Sequence, residues 1–313
     1  MSRARVATAA RVGVGRFILC RPHGGLHDTL GVVESCWRYA EATGRTLVVD
    51  ARHSHFCRRF GDYFRPREPS PAVHFDLTRG LLASMDELPC FPPAVQGRLG
   101  AYATEIQLHE TLSDLEWRLP VEASERTPLS IDLTADYAEA VLLHQLFGGM
   151  PGAVDLLGRV RLTARAAGAV RRRLASLPAR PYVGVHVRNS DLRSDYVGFL
   201  AAHADALDGR TVLVCSDDGD VVRHARATLT RSEVISSSTV PPSHGVPYQL
   251  PFHQSRRARR TLAIDTLVDL FALARATEVI HPLIINRTAQ LSGFSKLAVE
   301  LSQRPQLVDE LLA

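Results

Sequence analysis

The sequence predicts an α/β protein of two Rossmann-like domains, and three observations carry that prediction. Residues 16–50 read as a strand, a glycine loop, a helix and a second strand, the unit of an open parallel sheet. The run Tyr182–Val187 is apolar and β-branched, then breaks into Arg188-Asn189-Ser190-Asp191, as a short buried parallel strand does where a sheet meets its ligand. The chain has 313 residues, enough for two α/β domains of roughly 150 residues each. The Gly-Pro-rich stretch Phe147–Gly152 is the natural boundary, which gives domains of 1–150 and 151–313.

The elements follow in order. Arg16–Cys20 is the first strand. The loop Arg21–Gly31 contains His23, Gly24, Gly25, His27 and Asp28, and Leu30, Val33, Trp37 and Ala40 then recur at helical spacing. Gly24-Gly25 lets backbone approach a ligand closely at a helix start, where free N–H groups favour an anion or polar group. A tight turn needing positive φ would give the same letters. Thr46–Asp50 is the second strand. Residues 51–130 carry many prolines and read as loops lining a cleft, with strands near Val73–Phe75 and Ile106–Leu108. Helical periodicity is expected again over Asp136–Phe147 and Leu162–Leu174.

In the strand Tyr182–Val187, alternate side chains share a face, so His186 and Arg188 point the same way. A guanidinium at a strand end suits bidentate pairing with a phosphate or carboxylate, or a salt bridge to a neighbouring acid. A helix is expected over Tyr196–Leu207. The strand Thr211–Cys215 ends in Ser216-Asp217-Asp218, and Asp220–Ala227 and Glu233–Ile235 continue the alternation. Residues 236–260 read as a binding loop containing Arg256, Arg257, Arg259 and Arg260, or as a solvated charge run. Thr261–Ala276 is an amphipathic helix with Asp265 and Asp269 one turn apart. Glu278–Ile280 is the last strand, and Ser292 and Ser295 open a final helix suited to phosphate.

Composition excludes several classes. Hydrophobic residues make up 45%, charged residues 22%, and the net charge is +4 with Lys296 the only lysine. That balance, without an aromatic-interleaved basic patch, argues against nucleic acid. No apolar run approaches the ~20 residues that span a bilayer, and Met1–Val14 reads as a frayed tail without a signal-peptide core. Cys20, Cys36, Cys57, Cys90 and Cys215 form no CxxC pair, which fits buried thiols in a reducing, cytoplasmic setting. His53, His55 and Cys57 lack a fourth ligand for zinc, so no metal and no cofactor is expected. No Gly-x-Gly-x-x-Gly follows the first strand, which disfavours a dehydrogenase.

Arg188, the Ser216-Asp217-Asp218 cluster and the Ser292/Ser295 helix start would line one crevice, a suitable place for a nucleoside diphosphate. A glycine loop facing it from the other domain gives the GT-B arrangement of nucleotide-sugar glycosyltransferases. The motifs also resemble one superfamily. Gly184-Val185-His186-Val187-Arg188 is similar to the His-x-Arg motif of the α1,6-fucosyltransferases and of the related rhizobial nodulation and protein O-fucosyltransferases. Gly24–Leu30 resembles their glycine loop, and Leu267–Ala274 with Ser292–Ser295 resembles their C-terminal motifs. The departures are Asn189 in place of a second arginine, His27 in place of a third glycine, and Asn286 and Arg287 in a longer turn.

The resemblance implies a metal-independent inverting transfer from GDP-fucose to a hydroxyl of a glycan or glycolipid, as in bacterial surface-polysaccharide synthesis. Arg188 would hold the donor diphosphate with Ser292 and Ser295. Asp28 is the first candidate base and Asp191 the second. His23 and His27 are candidates for the acceptor, and Asn189, His186, Ser216, Asp217, Asp218 and Asp269 for the donor. A helix N-cap is the alternative role for Asp217 or Asp218. Another nucleotide sugar, or binding without turnover, are the alternative functions. A lipid-linked acceptor would bring the protein to the inner face of the cell membrane.

Overall fold

The computed structural model describes residues 15–109, 117–246, 255–285 and 291–313. The Met1–Val14 tail, Asn286 and Arg287 lie outside them. The first half contains strands β1 (Phe17–Pro22), β2 (Thr46–Val49), β3 (Phe64–Pro66), β4 (Val73–His74), β5 (Cys90–Phe91), β6 (Thr104–His109), β7 (Trp117–Glu122) and β8 (Val141–Leu146). Helices α1 (Leu26–Thr43) and α2 (Arg79–Asp86) lie among them. The second half runs α3 (Ala153–Arg159), β9 (Val160–Leu162), α4 (Ala164–Leu174), β10 (Val183–Val187), α5 (Tyr196–His203), β11 (Thr211–Ser216), α6 (Gly219–Thr228) and β12 (Glu233–Ile235). It ends with α7 (Arg256–Ala274), β13 (Glu278–Ile280), α8 (Gly293–Ser302) and α9 (Pro305–Leu312).

Two parallel sheets organise these elements, in the orders β4-β2-β1-β8-β5 and β12-β11-β10-β13. Each is covered on both faces. In β10, Val183, Val185 and Val187 pack with Leu200 of α5 and Val221 of α6. Gly184 faces α7, where an added Cβ would meet the Leu273 side chain at 2.9 Å. Ile18 and Cys20 of β1 belong to a core shared with α1, α3, α7 and α8, while Leu19 faces Met85, Val95 and Leu99 on the other side. That shared core makes the two sheets one continuous body. All five cysteines are buried and free.

Two expectations need correction. Asp136–Phe147 was expected to be helical, but Val141–Leu146 is strand β8, hydrogen-bonded between β1 and β5 at the centre of the first sheet. Its residues are buried on both faces, so the run has no period-two alternation to separate it from a buried helix. Arg256–Arg260 was expected to lie in a loop, but it forms the first turns of α7, capped where the Ser255 hydroxyl accepts the Ala258 N–H at 3.2 Å. Arginine is a good helix former, and a run of arginines marks a loop only when nothing caps it. Among the described residues no helix is long and apolar enough to cross a membrane.

Candidate functional site

The carboxyl ends of β10 and β11 and the start of α8 enclose the site. His186 and Arg188 share the face of β10 that looks toward α7 and α8, and both line a pocket with Asp217, Ser238, Asp269 and Phe294. Arg188 is fixed from two sides. One guanidinium nitrogen lies 2.5 Å from Asp217 Oδ2 and the other donates to Asp191 Oδ1 at 2.5 Å. Asp217 also accepts the Asn189 N–H at 2.7 Å and the Ser190 hydroxyl. Burial lifts the Asp217 carboxyl above its ordinary value despite the guanidinium beside it. Burial also opposes ionisation of Asp191, but Arg188 and Ser190 outweigh it and hold that carboxyl below its ordinary value.

Asp218 has a different task. It caps α6 through the Asp220 N–H at 3.0 Å and accepts from the Asn189 amide at 2.9 Å and the Ser243 hydroxyl at 2.9 Å. Ser216 is buried and accepts the Asp218 N–H at 3.1 Å. His186 Nδ1 pairs with the Ser295 hydroxyl at 2.7 Å, and its ring lies 4.8 Å from that of Phe294. Burial, with Arg188 adding to it, depresses His186 to about 3, so the ring is neutral. Ser292 is the N-cap residue of α8, yet its hydroxyl makes no capping bond. Asp269 accepts from Ser237 and, at 3.0 Å, from Ser238, and burial raises it to about 6.

The glycine loop closes the other side. Gly24 has φ 85° and Gly148 has φ 119°, conformations that a side chain would strain, and an added Cβ at either would strike Asp28. Both glycines therefore make room for the Asp28 carboxylate, which remains 39% exposed in the first turn of α1. Gly25 is the N-cap of that helix and makes no side-chain capping bond. His27 reaches across to α8: a Cβ on Gly293 would come within 2.7 Å of its Nδ1. His27 on the first half thus meets Gly293, at the start of α8, on the second.

Sequence reasoning missed a buried polar layer behind the loop. Arg21 donates to Asp50 at 2.7 Å, to the Tyr102 hydroxyl at 2.5 Å and to the Leu99 carbonyl at 2.7 Å. Burial opposes charge on Asp50, yet Arg52 and Arg21 hold it down at about 2. Tyr102 donates to Gln145, whose amide donates to His23 Nε2 at 2.8 Å. Burial and the neighbouring His53 and His55 drop His23 to about 3. The signal for Asp50 was present, a polar residue ending a strand as Arg188 does, whereas Gln145 was hidden by reading β8 as a helix. Among the described residues no three His, Cys, Asp or Glu side chains are grouped to hold a metal ion.

Comparison with solved structures finds the same architecture in the fucosyltransferase NodZ from Bradyrhizobium, with a TM-score of 0.55 at 19% identity over 92% of this chain and 93% of that one. NodZ α-1,6-fucosyltransferase co-crystallised with GDP gives 0.56 at 19% identity, over 92% of each chain. The same enzyme soaked with GDP-fucose gives 0.54 at 19% identity, again over 92% of each. No family model and no curated protein matches the sequence. The fold is GT-B, two Rossmann-like halves about a cleft, in the form NodZ has.

Proposed function

We propose that the protein is a metal-independent inverting glycosyltransferase that moves a sugar, fucose from GDP-fucose first, onto a hydroxyl of a glycan or glycolipid acceptor. The observation that carries this reading is Arg188, held at the carboxyl end of β10 by Asp217 and Asp191 and facing a pocket that Phe294, at the start of α8, helps to line. Such a guanidinium, with the α8 N–H groups and the Ser292 hydroxyl, which makes no capping bond, would meet charge developing on a leaving diphosphate. In this mechanism the acceptor oxygen attacks the anomeric carbon, the carbon–phosphate-oxygen bond breaks with its electrons leaving on the diphosphate, and Asp28 takes the acceptor proton. Asp28 is the better base because Asp191 is already paired with Arg188. Asp269 and Ser238, which line this pocket, would contact the nucleoside, and His23 and His27 would contact the acceptor. Residues 1–150 would then serve the acceptor and 151–313 the donor.

The donor choice is supported by the fold shared with NodZ, a fucosyltransferase whose structures include one with GDP and one soaked with GDP-fucose. A role in bacterial polysaccharide or glycolipid synthesis at the cytoplasmic face of the membrane fits a glycan acceptor. The test is release of nucleoside diphosphate from GDP-fucose and from UDP- and CMP-sugars, with EDTA present. GDP-fucose turnover that falls at least a hundredfold in Arg188→Ala supports the assignment, and near-normal turnover in that variant sinks it. The doubly engaged guanidinium favours one other reading, a nucleotide binder without turnover, which would bind GDP and release nothing.

A further inference from the structure

Away from the cleft, the strand pair β3–β9 and the helices α4 and α9 bound a groove that collects Arg65, Arg67, Arg161 and Arg171, with Glu310 the one acidic side chain among the described residues lining it. The antiparallel register sets Arg65 directly opposite Arg161. Like charges facing each other across a strand pair destabilise it, and neither arginine has an ion pair among the described residues. Arg67 is held in place by Nε–H donation to the Val160 carbonyl at 3.1 Å and by Nη1 donation to Glu310 at 2.5 Å. Its second terminal nitrogen, Nη2, is buried and has no partner. Arg171 donates to the main-chain oxygens of Leu312 and Ala313, which anchors its guanidinium on the α9 side of the groove.

We propose that this groove binds a phosphate-class anion, a phosphate or diphosphate group, between the facing guanidinium groups of Arg65 and Arg161, beside Arg67. The shape of the chemistry points there. Arginine forks match phosphate oxygens in pairs, and an anion between Arg65 and Arg161 converts a repulsive cross-strand contact into a bridged one. The anion is either a soluble phosphate or the headgroup of an anionic lipid, which attracts clustered arginines in the same way. The proposal does not depend on the transfer reaction.

Two probes and three variants test it. Inorganic pyrophosphate is titrated by calorimetry, and flotation is measured with vesicles of phosphatidylcholine alone and of phosphatidylcholine with phosphatidic acid. Arg65→Glu removes one arm and creates a cross-strand ion pair with Arg161, so its melting temperature should stay level or rise while anion binding falls at least tenfold. Arg161→Glu should behave alike. Arg188→Ala separates this groove from the cleft, because pyrophosphate bound at Arg65 survives that change. Loss of phosphatidic acid vesicle binding in the two Glu variants identifies a lipid headgroup. Loss of the pyrophosphate component without vesicle binding identifies a soluble ligand. The proposal is overturned if the wild-type protein binds neither probe, if a folded Arg65→Glu binds as tightly as wild type, or if Arg188→Ala alone abolishes pyrophosphate binding.

Discussion

Lowering the pH from about 7 to about 5 should cost this protein a large share of its stability, because several histidines are buried neutral. His23 and His186 are depressed to about 3 and His144 to about 4, each chiefly by burial. The unfolded chain returns all three to an ordinary value of about 6.5. As the pH falls below that value the unfolded state takes up protons and the folded state does not, so stability drops until the folded values are reached. At about pH 5 the loss is about 2 kcal/mol for each histidine, or about 6 kcal/mol for the three. Asp269 acts in the opposite direction. Its folded value of about 6 lies above that of an unfolded aspartate, so its contribution is full at low pH and is lost as the pH rises through the folded value. Between about pH 7 and pH 5 it returns about 1 kcal/mol, leaving a net loss of about 4 to 5 kcal/mol. That approaches the whole stability of a typical domain, about 5 to 15 kcal/mol. Urea unfolding followed by circular dichroism at the two pH values measures it. His144→Gln should flatten the dependence, since it removes one of the three buried neutral rings, whose Nδ1 accepts the Ile131 N–H and has no room for a proton. A difference under about 1 kcal/mol between the two pH values would refute the reasoning.

Three further outcomes follow from the site and its scaffold. Asp28→Asn should lower turnover of GDP-fucose by about 10²-fold or more, the range for a lost general base, while GDP affinity by calorimetry stays near that of wild type. Gly293→Ala puts a methyl group 2.7 Å from His27 Nδ1; it should weaken GDP binding several-fold and lower the melting temperature, and an unchanged protein would show that the two halves do not meet there. Leu142→Ala removes a fully buried side chain from the central strand β8. It should destabilise the protein by about 3 kcal/mol in denaturant unfolding, against a far smaller loss if Asp136–Phe147 were a surface helix.

The strands that face the cleft were legible because each ends in a change of chemistry. Val187 gives way to Arg188, and Cys215 is followed by the polar Ser216-Asp217-Asp218, so β10 and β11 announced both their ends and the side chains that line the pocket beyond them. The glycine loop was legible for a related reason, since Gly24 must leave room for Asp28. What the sequence concealed was long-range partnership. Nothing local tells that Asp217, 29 residues beyond Arg188, holds its guanidinium, that Gly148 shelters Asp28, or that Ser237 and Ser238 satisfy Asp269. β8 was hidden because burial on both faces erases periodicity, and Gln145 and the Arg21–Asp50–Tyr102 layer were hidden with it. The Arg65–Arg161 contact depends on the register of two strands about 95 residues apart, which no pattern within either strand can specify.

The most direct measurement is calorimetric titration of GDP into the wild-type protein and Arg188→Ala, each with EDTA. Arg188 lines the pocket beyond β10, paired with Asp217 and Asp191, and a diphosphate bound there would replace part of that pairing. The expected result is GDP binding that is indifferent to EDTA in the wild type and at least a hundredfold weaker in Arg188→Ala, with both proteins melting as single folded species. GDP binding of equal affinity in the two proteins, or binding that EDTA abolishes, would contradict the central claim that this arginine, without a metal, holds the donor.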